Sequence, residues 1–251
     1  MTQIQADFSG RNAFVTGAGG GMGLQIARDL LDAGAQATFF DVKPAPDDLP
    51  AGAHYVQGDL RSPTDVAQAM ANCYEAAGRL DYLVNAAGVL LLGRDRSLVD
   101  IDLDVWDDVL AINLKGSLLA AREAVPLMKR TGGGAMVHIA TIQCVRGNDA
   151  PQDGYQASKA GLVAMSKSIA IQFAGDGIRS NSILPGPTET PMQRRWVDNP
   201  ALREATEAAV PLGRVGTTRD MANATLFLLS DAASYITGTE LIVDGGVLAK
   251  P

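Results

Sequence analysis

Tyr155 and Lys159 stand four residues apart, so on a helix they share one face. An ammonium held close to a phenol favours the phenolate and draws its pKa down from about 10. A tyrosine tuned in that way gives a proton to a ketone as hydride arrives, or takes one from an alcohol. Alone, the pair is equally well an ordinary solvated helix contact. It gains chemical meaning because a predicted fifth strand precedes it, and the carboxyl ends of parallel strands converge on a ligand crevice. A second constellation, Gly17-Ala18-Gly19-Gly20-Gly21-Met22-Gly23, lies between a predicted strand and a predicted helix. Such a turn aims backbone N–H groups and the positive end of a helix dipole at one point, where a pyrophosphate fits. Gly17, Gly19, Gly21, Met22 and Gly23 are its expected lining; Gly20 has no assigned contact. Asp41 follows Gly23 by 18 residues, near the spacing at which a carboxylate accepts hydrogen bonds from an adenosine ribose. A carboxylate there repels a 2′-phosphate, the turn holds no Lys or Arg, and Lys43 reads as solvated. The expected cofactor is NAD.

The elements that must position these groups follow from hydrophobic period, caps and breakers. Strands are predicted over Asn12–Thr16, Gln36–Asp41, His54–Gln57, Tyr82–Asn85, Ala135–Ala140, Arg179–Leu184 and Glu240–Val243. Helices are predicted from Met22 to Ala33 with Gly34 as the stop, and from Pro63 to Ala77 with Ser62 as N-cap. Others are predicted over Leu103–Lys129, Asp153–Ala174 and Thr218–Leu229. Strand and helix alternate with short connections, which predicts an α/β fold: a doubly wound parallel sheet of about seven strands, helices on both faces. No break in composition divides residues 1–251, so one domain is expected. The proline-rich stretch at about 185–211 is read as irregular, a substrate lid.

Of the 251 residues 47% are hydrophobic and 20% charged, which is ordinary globular usage. A net charge of −7 repels phosphate backbones and anionic lipids, so nucleic-acid and membrane roles are disfavoured. Two cysteines without CxxC spacing and two isolated histidines argue against a disulfide framework and a metal site. Met1 to Gly10 has neither a basic nor an apolar signal region, and a cytoplasmic location is expected.

The glycine turn, Asn85-Ala86-Ala87-Gly88, Asn113, Tyr155-Gln156-Ala157-Ser158-Lys159 and Pro185-Gly186 together resemble the ordered signature of the short-chain dehydrogenase/reductase family. The resemblance covers essentially the whole chain. It implies a Rossmann-type sheet, one-step hydride transfer and a homotetramer. It further implies that Tyr155 is the acid/base and that Lys159 binds the nicotinamide ribose and tunes the tyrosine. Asn113 would hold a water in a proton relay. Asp59 and Leu60 fall where the family contacts adenine; Asn85, Ala86 and Gly88 fall on a cofactor-lining turn; Pro185, Gly186, Thr188 and Thr190 fall beside the nicotinamide. One departure stands out. The family's usual Ser, thirteen residues before its Tyr, is Ile142 here, and the loop Asn148–Gly154 looks one residue longer. Thr141 is expected to supply the hydroxyl.

Substrate contacts in this fold come from loops at the strand ends. Here they contribute Leu90 to Leu92, Gln143, Arg146, Met192, Arg194, Arg195 and Trp196. An arginine could grip a carboxylate in a bidentate way, although a solvated arginine is the commoner arrangement. The expected substrate is a small secondary alcohol or ketone. A dihydrodiol acid of the 2,3-dihydro-2,3-dihydroxybenzoate type and a 3-oxoacyl thioester remain open, as does a protein that binds NAD without chemistry.

Overall fold

In β1 (Asn12–Thr16), Phe14 points to one side of the strand while Ala13 and Val15 point to the other, and all are fully buried. A strand buried on both faces belongs to the interior of a covered parallel sheet. The computed structural model describes residues 7–250. Six further strands follow: β2 (Gln36–Asp41), β3 (His54–Gln57), β4 (Tyr82–Asn85), β5 (Gly134–Ile139), β6 (Ile178–Pro185) and β7 (Glu240–Val243). They pair in parallel in the order β3-β2-β1-β4-β5-β6-β7. The strand order reverses between β1 and β4, and a crevice opens there at the carboxyl ends.

On one face, α1 (Gly21–Asp32) and α8 (Thr218–Leu229) cover the sheet; Ile26, Leu30, Met221 and Leu226 bury Val15, Phe39, Val84 and Val137. On the other lie α2 (Pro63–Ala77), α4 (Gly116–Arg130) and α5 (Asp153–Gln172). Their Val66, Met70, Leu119, Met128 and Ile169 pack on Phe14, Phe40, Leu83 and Met136. The predicted long helix from Leu103 is continuous but not uniform. It runs as α3 (Leu103–Leu110), then a π-helical turn over Ala111–Lys115, then α4. A π turn widens a helix by one residue and so re-aims the side chains within it. Asn113 sits inside this one.

The stretch 185–211 departs from its irregular reading. It folds into α6 (Arg195–Asp198) and α7 (Pro200–Ala209), with Trp196 and Val210 buried. Two of the prolines behind that irregular reading start helical turns: Pro191 opens a 3₁₀ turn and Pro200 opens α7. A first-turn proline gives up no helical hydrogen bond. Among the described residues no helix is long and apolar enough to cross a membrane, and no group of His, Cys, Asp and Glu could hold a metal ion.

Candidate active site

The glycine turn is shaped by close backbone approaches. Gly17 has φ +70°, and a Cβ there would lie 2.7 Å from the Ala87 backbone; a Cβ on Gly23 would collide with the Gly17 carbonyl. The turn therefore packs directly on the segment after β4, where Ala87 N–H also donates to Thr16 Oγ1 at 3.2 Å. Asp41, at the end of β2, accepts from Gly19 N–H at 2.9 Å and from Lys43 N–H at 2.9 Å. Its carboxylate thus fixes the turn from the side. Gly19 spends its N–H on Asp41 and lies off the cleft, whereas Gly20 lines it, the reverse of the expected roles.

A cleft of about 720 Å³ runs from this turn across the strand ends. Asp41, Lys43, Asp59, Leu60 and Arg61 line one end. Met22 and Gly21 lie along it, and Ala86, Gly88, Pro185, Gly186, Thr188 and Thr190 flank its middle. Thr141, Tyr155 and Lys159 stand beyond them, with Gln143, Arg146, Met192, Arg195 and Trp196 around the far end. A space of this size suits a ligand larger than a simple alcohol.

Asp59 is clasped by Arg61, with Arg61 Nη2 2.7 Å from Oδ2, which holds its carboxyl below the usual range; Arg61 also reaches Asp108 at 3.5 Å. Asn113 is buried. Its Oδ1 accepts from Val89 N–H at 2.7 Å, and its Nδ2 donates to Val89 O and to Ser158 Oγ, each at 3.0 Å. It braces the loop after β4 against α5 rather than lining the cleft. Asn85 is also buried, off the cleft. Its Nδ2 lies 3.2 Å from Ser117 O and 3.1 Å from His138 Nδ1, so its contribution is to the sheet.

Lys159 is buried, and its Nζ donates to Ile139 O at 2.7 Å. Burial pushes its pKa down to about 8. Burial likewise pushes the Tyr155 phenol up to about 12, reinforced by Cys144 and opposed by a hydrogen bond with Thr141. Burial thus outweighs any pull that Lys159 exerts on the phenol. Both groups lose solvation, and the ammonium is turned to a carbonyl. Thr141 caps the turn Ile142–Cys144 by accepting from Gln143 N–H at 3.3 Å. Ile142 belongs to a small apolar cluster with Ala140, Val163 and Leu184, which explains a hydrocarbon at the family's serine position.

Asp95 went unread in the sequence. It is buried and accepts from Gly154 N–H at 3.0 Å and from Tyr155 N–H at 2.8 Å, capping the helix that carries the tyrosine from about 60 residues away. The signal was negative: Gln152, before α5, makes no side-chain cap, so an acceptor had to come from elsewhere. Gln156 ties the loop after β5 to α5 by donating to Gln143 O at 3.3 Å and Arg146 O at 3.4 Å. Arg194 lies outside the cleft, on a separate depression beside Leu24, Arg28 and Arg203.

A family model described as Enoyl-(Acyl carrier protein) reductase matches residues 17–248. The chain is 36% identical to 2,3-dihydro-2,3-dihydroxybenzoate dehydrogenase of Escherichia coli, over 96% of this chain and 98% of that protein. It is 33% identical to 2-(R)-hydroxypropyl-CoM dehydrogenase of Xanthobacter autotrophicus, over 95% and 99%. A solved structure described as a short-chain dehydrogenase/reductase from Burkholderia xenovorans superimposes with a TM-score of 0.88 at 35% identity, covering 97% of this chain and 98% of the other.

Proposed function

Because the chain belongs to the short-chain dehydrogenase/reductase family, we propose that it moves a hydride between NAD(H) and a secondary alcohol/ketone couple. One observation carries this reading: a single cleft joins the glycine turn and Asp41 to Tyr155, Thr141 and Lys159. The whole chain acts as one unit, with 185–211 closing over the substrate, and a homotetramer is the proposed assembly. A monomer in light scattering would remove that assembly from the reading.

A bound nicotinamide supplies the hydride donor or acceptor. The remaining steps belong to this chain's side chains. Tyr155 holds a proton at Oη at neutral pH, as its high pKa requires, and gives it to the substrate oxygen in reduction. In oxidation the same atom takes the proton. The Thr141 hydroxyl donates a hydrogen bond to the substrate oxygen beside the phenol, fixing the angle of transfer. Lys159 holds the ribose nearest the reacting ring, and its charge stabilises the phenolate as it forms. Asn113, through its bonds to Val89, keeps the backbone after β4 in place.

The preference for NAD rests on charge. Asp41 lines the adenosine end, and Arg61, a cation able to hold a 2′-phosphate there, is neutralised by Asp59 and Asp108. The test is a panel of secondary alcohols and ketones with both nucleotides, followed by NADH or NADPH absorbance. Turnover with NAD that Tyr155→Phe lowers by 100-fold or more is expected. Comparable kcat/KM with NADP would overturn the cofactor assignment. NAD binding without turnover of any alcohol would support a nucleotide-binding protein instead.

A further inference from the structure

Charge is segregated along the cleft. Among the described residues its only acidic lining residues, Asp41 and Asp59, sit at the adenosine end. Beyond Tyr155 the lining is Gln143, Arg146, Asn148, Gln152, Gln193 and Arg195 among apolar residues, without one carboxylate. The chain carries 28 acidic residues against 21 basic ones, so an acid-free wall holding two guanidinium groups runs against its overall charge.

The two arginines also differ from most others on the lid and around the cleft. Arg61, Arg203 and Arg214 each pair with a carboxylate. Among the described residues Arg146 and Arg195 are in none of the ion pairs. Arg195 Nε donates to Gln193 Oε1 at 3.0 Å, which orients the guanidinium and leaves its terminal nitrogens to face a ligand. Arg146 is held at the rim because Gln156, next to the tyrosine, binds its carbonyl at 3.4 Å. In the same lining Gln143 Oε1 is buried and accepts no hydrogen bond, a cost that a hydroxyl on the ligand would relieve.

Resting on the hydride-transfer reading, we propose that the alcohol or ketone carries a carboxylate: a hydroxy or oxo acid whose acid group is held by Arg195 and Arg146 while its carbinol faces Tyr155. A planar carboxylate matches the guanidinium fork, and no acid in the wall competes for it. An ester or amide of the same skeleton cannot accept the paired charge-assisted bonds.

The test uses the full-length protein with NAD and matched pairs of cyclic and acyclic hydroxy acids and their methyl esters, read by NADH absorbance. Acids should exceed their esters at least tenfold in kcat/KM. Arg195→Gln and Arg146→Gln should each raise KM for the acid about tenfold or more and collapse the acid-over-ester ratio toward one. Arg195→Lys, which keeps charge but loses the fork, should fall between. Arg194→Gln, outside the cleft, should leave the ratio unchanged. Esters used as well as acids by the unaltered protein, or an acid KM untouched by both glutamine variants, would overturn the proposal. Turnover of esters alone would leave the hydride-transfer reading standing and sink only this one, whereas no turnover of any alcohol would sink both.

Discussion

Lys159 pays for its position in solvation. A pKa brought from 10.5 to about 8 corresponds to about 3 kcal/mol against the charged form. The folded chain holds fewer protons than the unfolded one between those two values, so this cost is full below about pH 8 and fades as pH rises toward 10.5. Lys159→Met removes it, offset by about 1 kcal/mol for the lost bond to Ile139 O. The variant should lose turnover yet melt a few degrees higher at pH 7 than the natural protein, with the difference shrinking toward pH 10 in thermal scans. Thr141 makes the complementary prediction. Thr141→Ala should cost tenfold or more in kcat, while Thr141→Ser keeps most of it; near-full turnover in the alanine variant would show that no hydroxyl assists Tyr155. Tyr155, Lys159 and most of the glycine turn were legible from residue type and spacing. Asn85 and Arg194 were not, because the direction of a side chain depends on what packs beside it.

At the scale of elements, the boundaries of β1, β2, β3, β4 and α2 were readable because period, caps and breakers agree there. Ser62 accepts from Asp65 N–H at 3.2 Å, as an N-cap followed by proline should. The N-terminus of α5 has no such local signal and takes its cap from Asp95. Asp95→Ala leaves two N–H groups at the base of α5, one buried and one part-buried, without their acceptor, each costing about 1–3 kcal/mol. We expect a melting temperature lower by several degrees together with reduced kcat, and partial recovery of both in Asp95→Asn, which retains one acceptor oxygen. A variant unchanged in both would show that Asp95 does not position Tyr155. The helices within 185–211 were missed because prolines break helices in the interior but start them at the first turn, and only the fold shows which position each occupies.

Across the whole molecule, a buried histidine sets an acid limit on stability. His138 lies in the sheet with Nε2 3.1 Å from Ser180 Oγ and Nδ1 beside Asn85, and burial, aided by Lys159, pushes its pKa down to about 4. The unfolded chain binds this proton near pH 6.5 and the folded chain only near 4, so stability falls as pH drops through that window, by up to about 3 kcal/mol. The window lies mostly above that of Asp220, whose carboxyl is held at about 2 first by Arg214. His138→Asn should therefore flatten denaturant-derived stability between pH 6.5 and 4 and leave the more acidic limb in place. An unchanged slope would mean that His138 is not buried neutral.

By itself the sequence determined the parallel α/β architecture, the glycine turn between β1 and α1, the cleft end carrying Tyr155 and Lys159, and the carboxylate at the tip of β2. These features rest on local rules: a period, a cap, a glycine that tolerates positive φ, and two side chains one helical turn apart. Tertiary structure alone decided which arginine lines the cleft, which carboxylate caps α5, and how far burial moves Tyr155 and Lys159. Each of those depends on atoms brought together from distant parts of the chain, as when Asp95 caps the helix of Tyr155, and on the solvent those atoms exclude.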